Sequence, residues 1–197
     1  ISESDLNDSN NTSTVTITFS EIQLNFETGD DLDVEGGTLS GGALDGSGLI
    51  WTATFTADDG LSVKGLVALN ADSYTDTSMN LGSGDNDIVF IDTLNPSAVV
   101  EFTGSFLSEN SDTSIITITF SEAPSQFNAT DDLSVVAGSL SGGAFDDTGL
   151  IWTATFTADA DFSGTGSVTL EANSYTDENT NLGNGDSDSV PIDTTNP

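Results

Sequence analysis

The chain has 197 residues, 33 of them Asp or Glu against a single Lys, Lys64, with no Arg and no His, so its formal net charge is −32. Phosphate contacts need Lys or Arg, which excludes nucleic acid as a partner and basic-patch binding to anionic lipid. Without Cys or His there is no thiolate or imidazole metal site, no Ser-His-Asp triad and no disulfide. Carboxylates, hydroxyls, amides and main-chain carbonyls remain, the donor set of a hard cation and of Ca2+ above all.

High net charge is also a mark of disorder, but 35% apolar residues, with 11 Phe, 2 Trp and 2 Tyr in regular runs, argue for buried cores. No stretch approaches the roughly 20 apolar residues of a membrane span, and Ile1 does not open a signal peptide. The expectation is a monomeric, soluble segment excised from a longer chain, without direct membrane insertion.

An internal repeat decides the organisation. Val15–Glu21 returns as Ile116–Glu122, Leu39–Ala43 as Leu140–Ala144, Gly48–Asp58 as Gly149–Asp159, and Asp92–Pro96 as Asp193–Pro197. Every pair is offset by 101 positions without a gap. Loops normally drift in length, so the constant offset points to recent duplication inside a longer tandem array. The predicted domains are 1–96, its N-terminal strand truncated, and 97–197, each near the usual domain size. Repeats that touch only their neighbours in the chain build extended, end-to-end objects.

Taken along the first repeat, Val15, Ile17 and Phe19 alternate with Thr14, Thr16 and Thr18. Trp51, Ala53 and Phe55 then alternate with Thr52, Thr54 and Thr56, and Val67, Leu69, Ala71, Val89 and Ile91 continue the period of two. Gly, Asn, Asp and Ser clusters punctuate the runs, and no period of 3.6 is sustained. This is an all-β pattern: two tandem immunoglobulin-like β-sandwich domains of Greek-key type, about seven strands each. The second repeat is predicted to place strand A at 97–104, B at 114–121, C at 133–137, a short D at 139–144, E at 150–158, F at 167–174 and G at 189–193. Subtracting the offset gives the first repeat. In this order the BC, DE and FG loops share the end where strand A begins, and the AB and EF loops share the end where strand G leaves.

The acids gather in turns rather than across strand faces. In the first repeat they include Asp30, Asp31, Asp45, Asp58, Asp59, Asp72, Asp76, Asp85, Asp87 and Asp92. Crowded carboxylates repel unless neutralised, and Ca2+ takes six to eight oxygens that such turns supply. The candidate metal ligands are Asp131, Asp132, Asp146, Asp177, Asp186 and Asp188 at the strand-A end of the second repeat. Asp92 and Asn95 of the linker join them, with Asp8, Asp58 and Asp59 from the far end of the first repeat. Asp159 and Asp193 are their counterparts further on. No EF-hand loop is present. Gly82-Ser-Gly84-Asp85 and Gly183-Asn-Gly185-Asp186 are similar to one turn of a Gly-rich calcium β-roll, but a tight FG turn explains the glycines equally well.

The strand motif T-x-T-F-S-E, the W-T-A-T-F-T strand, Y-T-D followed by N-x-G, and the closing I-D-T-x-N-P together resemble the tandem bacterial immunoglobulin-like repeats of giant surface adhesins. These include the extender regions of RTX-type adhesins and of the ice-binding adhesin of an Antarctic marine bacterium. The resemblance covers both repeats. It implies an extracellular, calcium-rigidified stalk, exported by type I secretion, whose partners are neighbouring repeats and which projects a terminal domain for cell adhesion or biofilm formation. It also implies that the Asp ending strand G and the adjoining linker help hold metal, here Asp92, Asn95 and Asp193.

An alternative is a ligand-binding module for carbohydrate or ice on the outward Thr rows, although β-propensity alone places Thr there. Trp51, Trp152, Phe55 and Phe156 fall on the apolar side of their strands, as core residues. Paired carboxylates can hydrolyse glycosides, but acids spread almost identically over two small repeats read as a scaffold, not an enzyme. Asn10 and Asn128 begin glycosylation sequons without relevance in a bacterium, and Lys64 reads as a surface residue.

Overall fold

The computed structural model describes residues 1–196. The chain divides into two units, Ile1–Leu94 and a second that begins at Asn95. In the first unit the elements are β1 (Asp5–Leu6), β2 (Thr12–Thr18), β3 (Gln23–Leu24), α1 (Thr28–Asp31), β4 (Leu32–Glu35), β5 (Gly37–Leu44), β6 (Ile50–Ala57), β7 (Ser62–Leu69), β8 (Thr75–Asp76) and β9 (Asp85–Asp92). The second unit has β10 (Ala98–Phe102), β11 (Leu107–Ser108), β12 (Thr113–Phe120), α2 (Ala129–Asp132), β13 (Leu133–Val136), β14 (Gly138–Phe145), β15 (Ile151–Ala158), β16 (Ser163–Leu170) and β17 (Asp186–Asp193).

Each unit is a sandwich of two sheets. In the second, one sheet runs β10-β12-β15-β14 and the other β11-β17-β16-β13, with β11 parallel to β17 and the other pairings antiparallel. The first unit repeats this as β2-β6-β5 and β1-β9-β7-β4, with a two-stranded β3-β8 pair beside them. Alternation drives the layering: Trp51, Ala53, Phe55 and Ala57 of β6 are buried while Thr52 and Thr54 face solvent. Trp152, Ala154, Phe156 and Ala158 do the same in β15. The two cores are separate clusters, centred on Phe55, Val89 and Ile91 in one unit and Phe156, Val190 and Ile192 in the other. The predicted all-β sandwich and the core aromatics match this architecture.

Strands A, F and G differ from the sequence expectation. Strand A is broken: the chain leaves the β12 sheet after Phe102 and joins β17 at Leu107. The crossing is held where Ser114 Oγ accepts the Gly104 N–H at 2.9 Å. Strand F starts at Ser163, about four residues before its predicted start at 167, and ends at Leu170. Its first half, Ser-Gly-Thr-Gly, carries no apolar alternation, because Gly166 leaves room for a neighbour: a Cβ there would lie 2.5 Å from Ile192 Cδ1. Strand G is longer than predicted, beginning at Asp186 in a polar stretch whose carboxylates turn out to have a structural use.

Strand D carries a bulge, with register shifts between Ser40 and Ala43 and between Ser141 and Ala144. The repeated Gly-Gly pair accounts for it. Gly41 and Gly142 adopt φ of +67° and +69°, a region that L side chains avoid. Gly42 and Gly143 lie against the indole rings, where a Cβ would come within 2.6 Å of Trp51 and 2.3 Å of Trp152.

Candidate functional site

Strand pairing brings the BC, DE and FG loops of the second unit to the end where β10 begins: β12 ends, β13 begins, β14 ends, β15 begins, β16 ends and β17 begins there. Four of the candidate acids at that end, Asp131, Asp132, Asp146 and Asp177, bond within their own turns. Asp132, only 6% exposed, takes the Asn128 N–H on Oδ2 at 2.7 Å, and Asp131 takes the Asn128 side-chain amide at 2.7 Å. Asp146 accepts from the Thr148 hydroxyl at 2.8 Å and from the Ile151 N–H at 3.2 Å. Asp177, 1% exposed, binds Asn181 twice, through its main-chain N–H at 2.9 Å and its side-chain amide at 2.7 Å.

Asp186 and Asp188 have a different use. They alternate on β17 and so point the same way, and each accepts a main-chain N–H of β10: Val100 on Asp186 and Phe102 on Asp188, both at 2.8 Å. These bonds fasten the outer edge of β10 to the opposite sheet. The spacing Asp-x-Asp just before an apolar run was the available signal, and two carboxylates on one strand face could have been read as edge acceptors.

The remaining candidates lie elsewhere. Asp159 sits in the turn between β15 and β16, where its carbonyl accepts from Thr194 at 2.7 Å. Asp58 is its counterpart, with a carbonyl bonded to the Thr93 hydroxyl at 2.8 Å, and Asp59 is exposed beside it. Asp193 takes the Thr195 hydroxyl at 2.7 Å. Asp8 is exposed in the turn between β1 and β2, Asp92 ends β9, and Asn95 follows in the linker. Among the described residues no three Asp or Glu side chains gather where they could share one metal ion. The oxygen-only chemistry suits Ca2+; a ready cage of three carboxylates does not exist in these units.

Hydrogen bonding also sets acidity. Asp146 and Asp45 are held below the ordinary carboxylate value, first by the Thr148 and Ser47 hydroxyls and then by main-chain N–H groups, against some desolvation. Asp76 is lowered chiefly by the Asn80 side chain. The Tyr175 phenol is pushed up to about 12 by burial and by the nearby Glu122. Its hydroxyl donates to the Asn184 carbonyl at 3.0 Å, and its ring lies so close over Gly183 that a Cβ there would meet it at 2.2 Å. Tyr74 stands over Gly82 in the same way. Gly82 and Gly183 thus serve ring packing, while Gly84 and Gly185 lie against the main chain of Leu69–Ala71 and Leu170–Ala172. Lys64 lies on β7 with Nζ 5.2 Å from the centre of the Phe90 ring.

The outward face of the β2-β6-β5 sheet is a hydroxyl array. Register aligns Thr12, Thr56 and Thr38 in one row and Thr14, Thr54 and Ser40 in the next.

A family model described as "Bacterial Ig-like domain" matches residues 1–90 and 92–194. Among solved structures, the adhesin InvE of Yersinia pseudotuberculosis is 14% identical, with a TM-score of 0.35, over 97% of this chain and 57% of its own. Invasin, a bacterial integrin-binding protein, is 12% identical with a TM-score of 0.44, over 97% of this chain and 38% of its own. InvD of Y. pseudotuberculosis is 18% identical with a TM-score of 0.33, over 100% of this chain and 57% of its own. This chain thus spans less than two thirds of those chains. No curated protein matches. No helix among the described residues is long and apolar enough to cross a membrane.

Proposed function

Since the chain belongs to the bacterial Ig-like domain family, we propose that it is a pair of extender repeats from a bacterial surface adhesin, extracellular and non-catalytic. What carries the reading is that one domain of this family occurs twice in succession, each copy with its own core. Such repeats act mechanically, adding length between an anchoring region and a terminal binding domain used in adhesion or biofilm formation. Export by type I secretion, in the manner of RTX adhesins, belongs to the same proposal.

Calcium is the proposed rigidifying ligand. The residues that would hold it are the turn acids and the Asp92–Asn95 linker, each ion drawing on one or two carboxylates together with amide and main-chain oxygens. Bound calcium would neutralise carboxylates that otherwise repel. The test is thermal melting and small-angle scattering in calcium and in chelator. A higher melting temperature and a changed scattering curve are expected in calcium, and identical curves in both would remove calcium from the proposal.

A second reading, a carbohydrate- or ice-binding face, is favoured by the aligned hydroxyl rows on β2, β6 and β5. Glycan-array binding or ice-growth inhibition that Thr54→Lys abolishes would support it, and no activity in either assay removes it.

A further inference from the structure

The FG loop of the second unit holds the chain's one Asn-Gly pair, Asn184-Gly185, where the first unit has Ser83-Gly84. Packing fixes the glycine. A Cβ on Gly185 would lie 2.5 Å from the Leu170 carbonyl oxygen and 2.7 Å from the Ala172 nitrogen, and Gly84 is confined in the same way by Leu69 and Ala71. The residue before the glycine is under no such constraint, since Ser83 and Asn184 are both exposed. The side-chain amides of Asn80, Asn128 and Asn181 donate to Asp76, Asp131 and Asp177. The Asn184 side chain, by contrast, makes no hydrogen bond to any described residue, and neither does the Gly185 N–H.

We propose that Asn184-Gly185 is a self-modification site, an amide that converts to isoaspartate without an enzyme and so loosens the loop's hold on strand β10. The Gly185 nitrogen attacks the Asn184 side-chain carbonyl carbon. A C–N bond forms and closes a succinimide ring, the bond to the amide nitrogen breaks, and ammonia leaves with the proton that Gly185 gives up. Water then opens the ring. Cleavage at one carbonyl gives ordinary aspartate, and cleavage at the other gives isoaspartate, whose main chain runs through the former side chain. Glycine admits this closure because no Cβ crowds its nitrogen. The Asp-Gly pairs Asp45-Gly46 and Asp59-Gly60 carry no amide to lose.

The consequence follows from what Asn184 holds. Its N–H donates to the Pro96 carbonyl at 2.8 Å and its carbonyl accepts the Tyr175 hydroxyl at 3.0 Å. Just beyond, Asp186 accepts the Val100 N–H of β10 at 2.8 Å. Isoaspartate inserts a methylene into the main chain between these two fixings. It also adds a carboxylate close to Asp186, on a chain already at −32. Both changes weaken the grip on β10 and on the residues that lead into it.

The test incubates the full chain at mildly alkaline pH, folded and unfolded in urea, beside Asn184→Ser, which carries the residue the first unit tolerates at this place. Peptide mapping by mass spectrometry locates isoaspartate, released ammonia gives the rate, and NMR reads amide exchange. The folded chain is expected to convert at Asn184 at no less than about a tenth of the unfolded rate, because an exposed loop needs little local opening. Asn184→Ser should lose that product. The converted chain should exchange the Val100 amide faster than Asn184→Ser does. The proposal fails if folding slows conversion by more than about tenfold, or if another Asn converts first. It fails equally if Val100 exchanges alike in the converted chain and in the serine variant.

Discussion

Both carboxylate oxygens of Asp177 are committed to Asn181, in a loop where the two residues are 1% and 0% exposed. Truncating Asp177 to Ala would leave buried N–H groups without a partner, a loss of about 2–3 kcal/mol. The same change at its counterpart Asp76, whose Asn80 partner is exposed, should cost only about 1 kcal/mol. Comparing the melting of the two variants checks this, and equal losses would contradict it. A second residue-scale expectation concerns acid. Asp45 and Asp146 titrate below their ordinary value of 3.8, the hydroxyls of Ser47 and Thr148 being the first cause. Their folded-state values are depressed, so the stability they contribute is present above about pH 3.8 and is lost as pH falls below it through the folded-state values. Carboxyl titration by NMR should place both midpoints below 3.8, and Ser47→Ala and Thr148→Ala should move them back toward it. The sequence makes the clustering of acids in turns plain. It does not reveal that Asp45, Asp76, Asp146 and Asp177 are each answered by a hydroxyl or amide two to four residues away, because that depends on how each turn closes.

At the scale of elements, strands with clean alternation, β6, β12 and β15, lie where the periodicity predicts. Those whose sequence is shaped by a neighbour do not. Strand F reads as loop over its first half because Gly166 makes room for Ile192, and the start of strand G reads as loop because Asp186 and Asp188 serve β10. Strand D carries its bulge at the repeated Gly-Gly pair, with the second glycine beneath the indole ring. Gly143→Ala should therefore displace Trp152 and cost about 1–3 kcal/mol through overpacking. Red-shifted tryptophan emission and a lowered melting temperature would be the observables. Unchanged emission would mean the ring tolerates the added methyl.

For the whole molecule, the net charge of −32 sets two stability effects apart. Diffuse repulsion among surface carboxylates is weakened by any salt, since the screening length is about 10 Å at 0.1 M. Melting temperature should therefore climb smoothly with NaCl, without regard to which cation is added. A bound Ca2+ acts by linkage and needs almost no change in ionic strength. At a free concentration near 100 times its dissociation constant it adds about 2.7 kcal/mol, roughly 10–20 °C for domains of this size. The decisive comparison is millimolar Ca2+ against equal Mg2+, over a constant background of about 0.15 M NaCl. Mg2+ prefers rigid octahedral sites and keeps its water, so the loosely spaced turn oxygens of these units should favour Ca2+. A rise with Ca2+ that Mg2+ does not give would establish specific sites. Equal shifts would mean that the acidity is answered by screening alone, and the rigidity of the repeats would then rest on their two apolar cores.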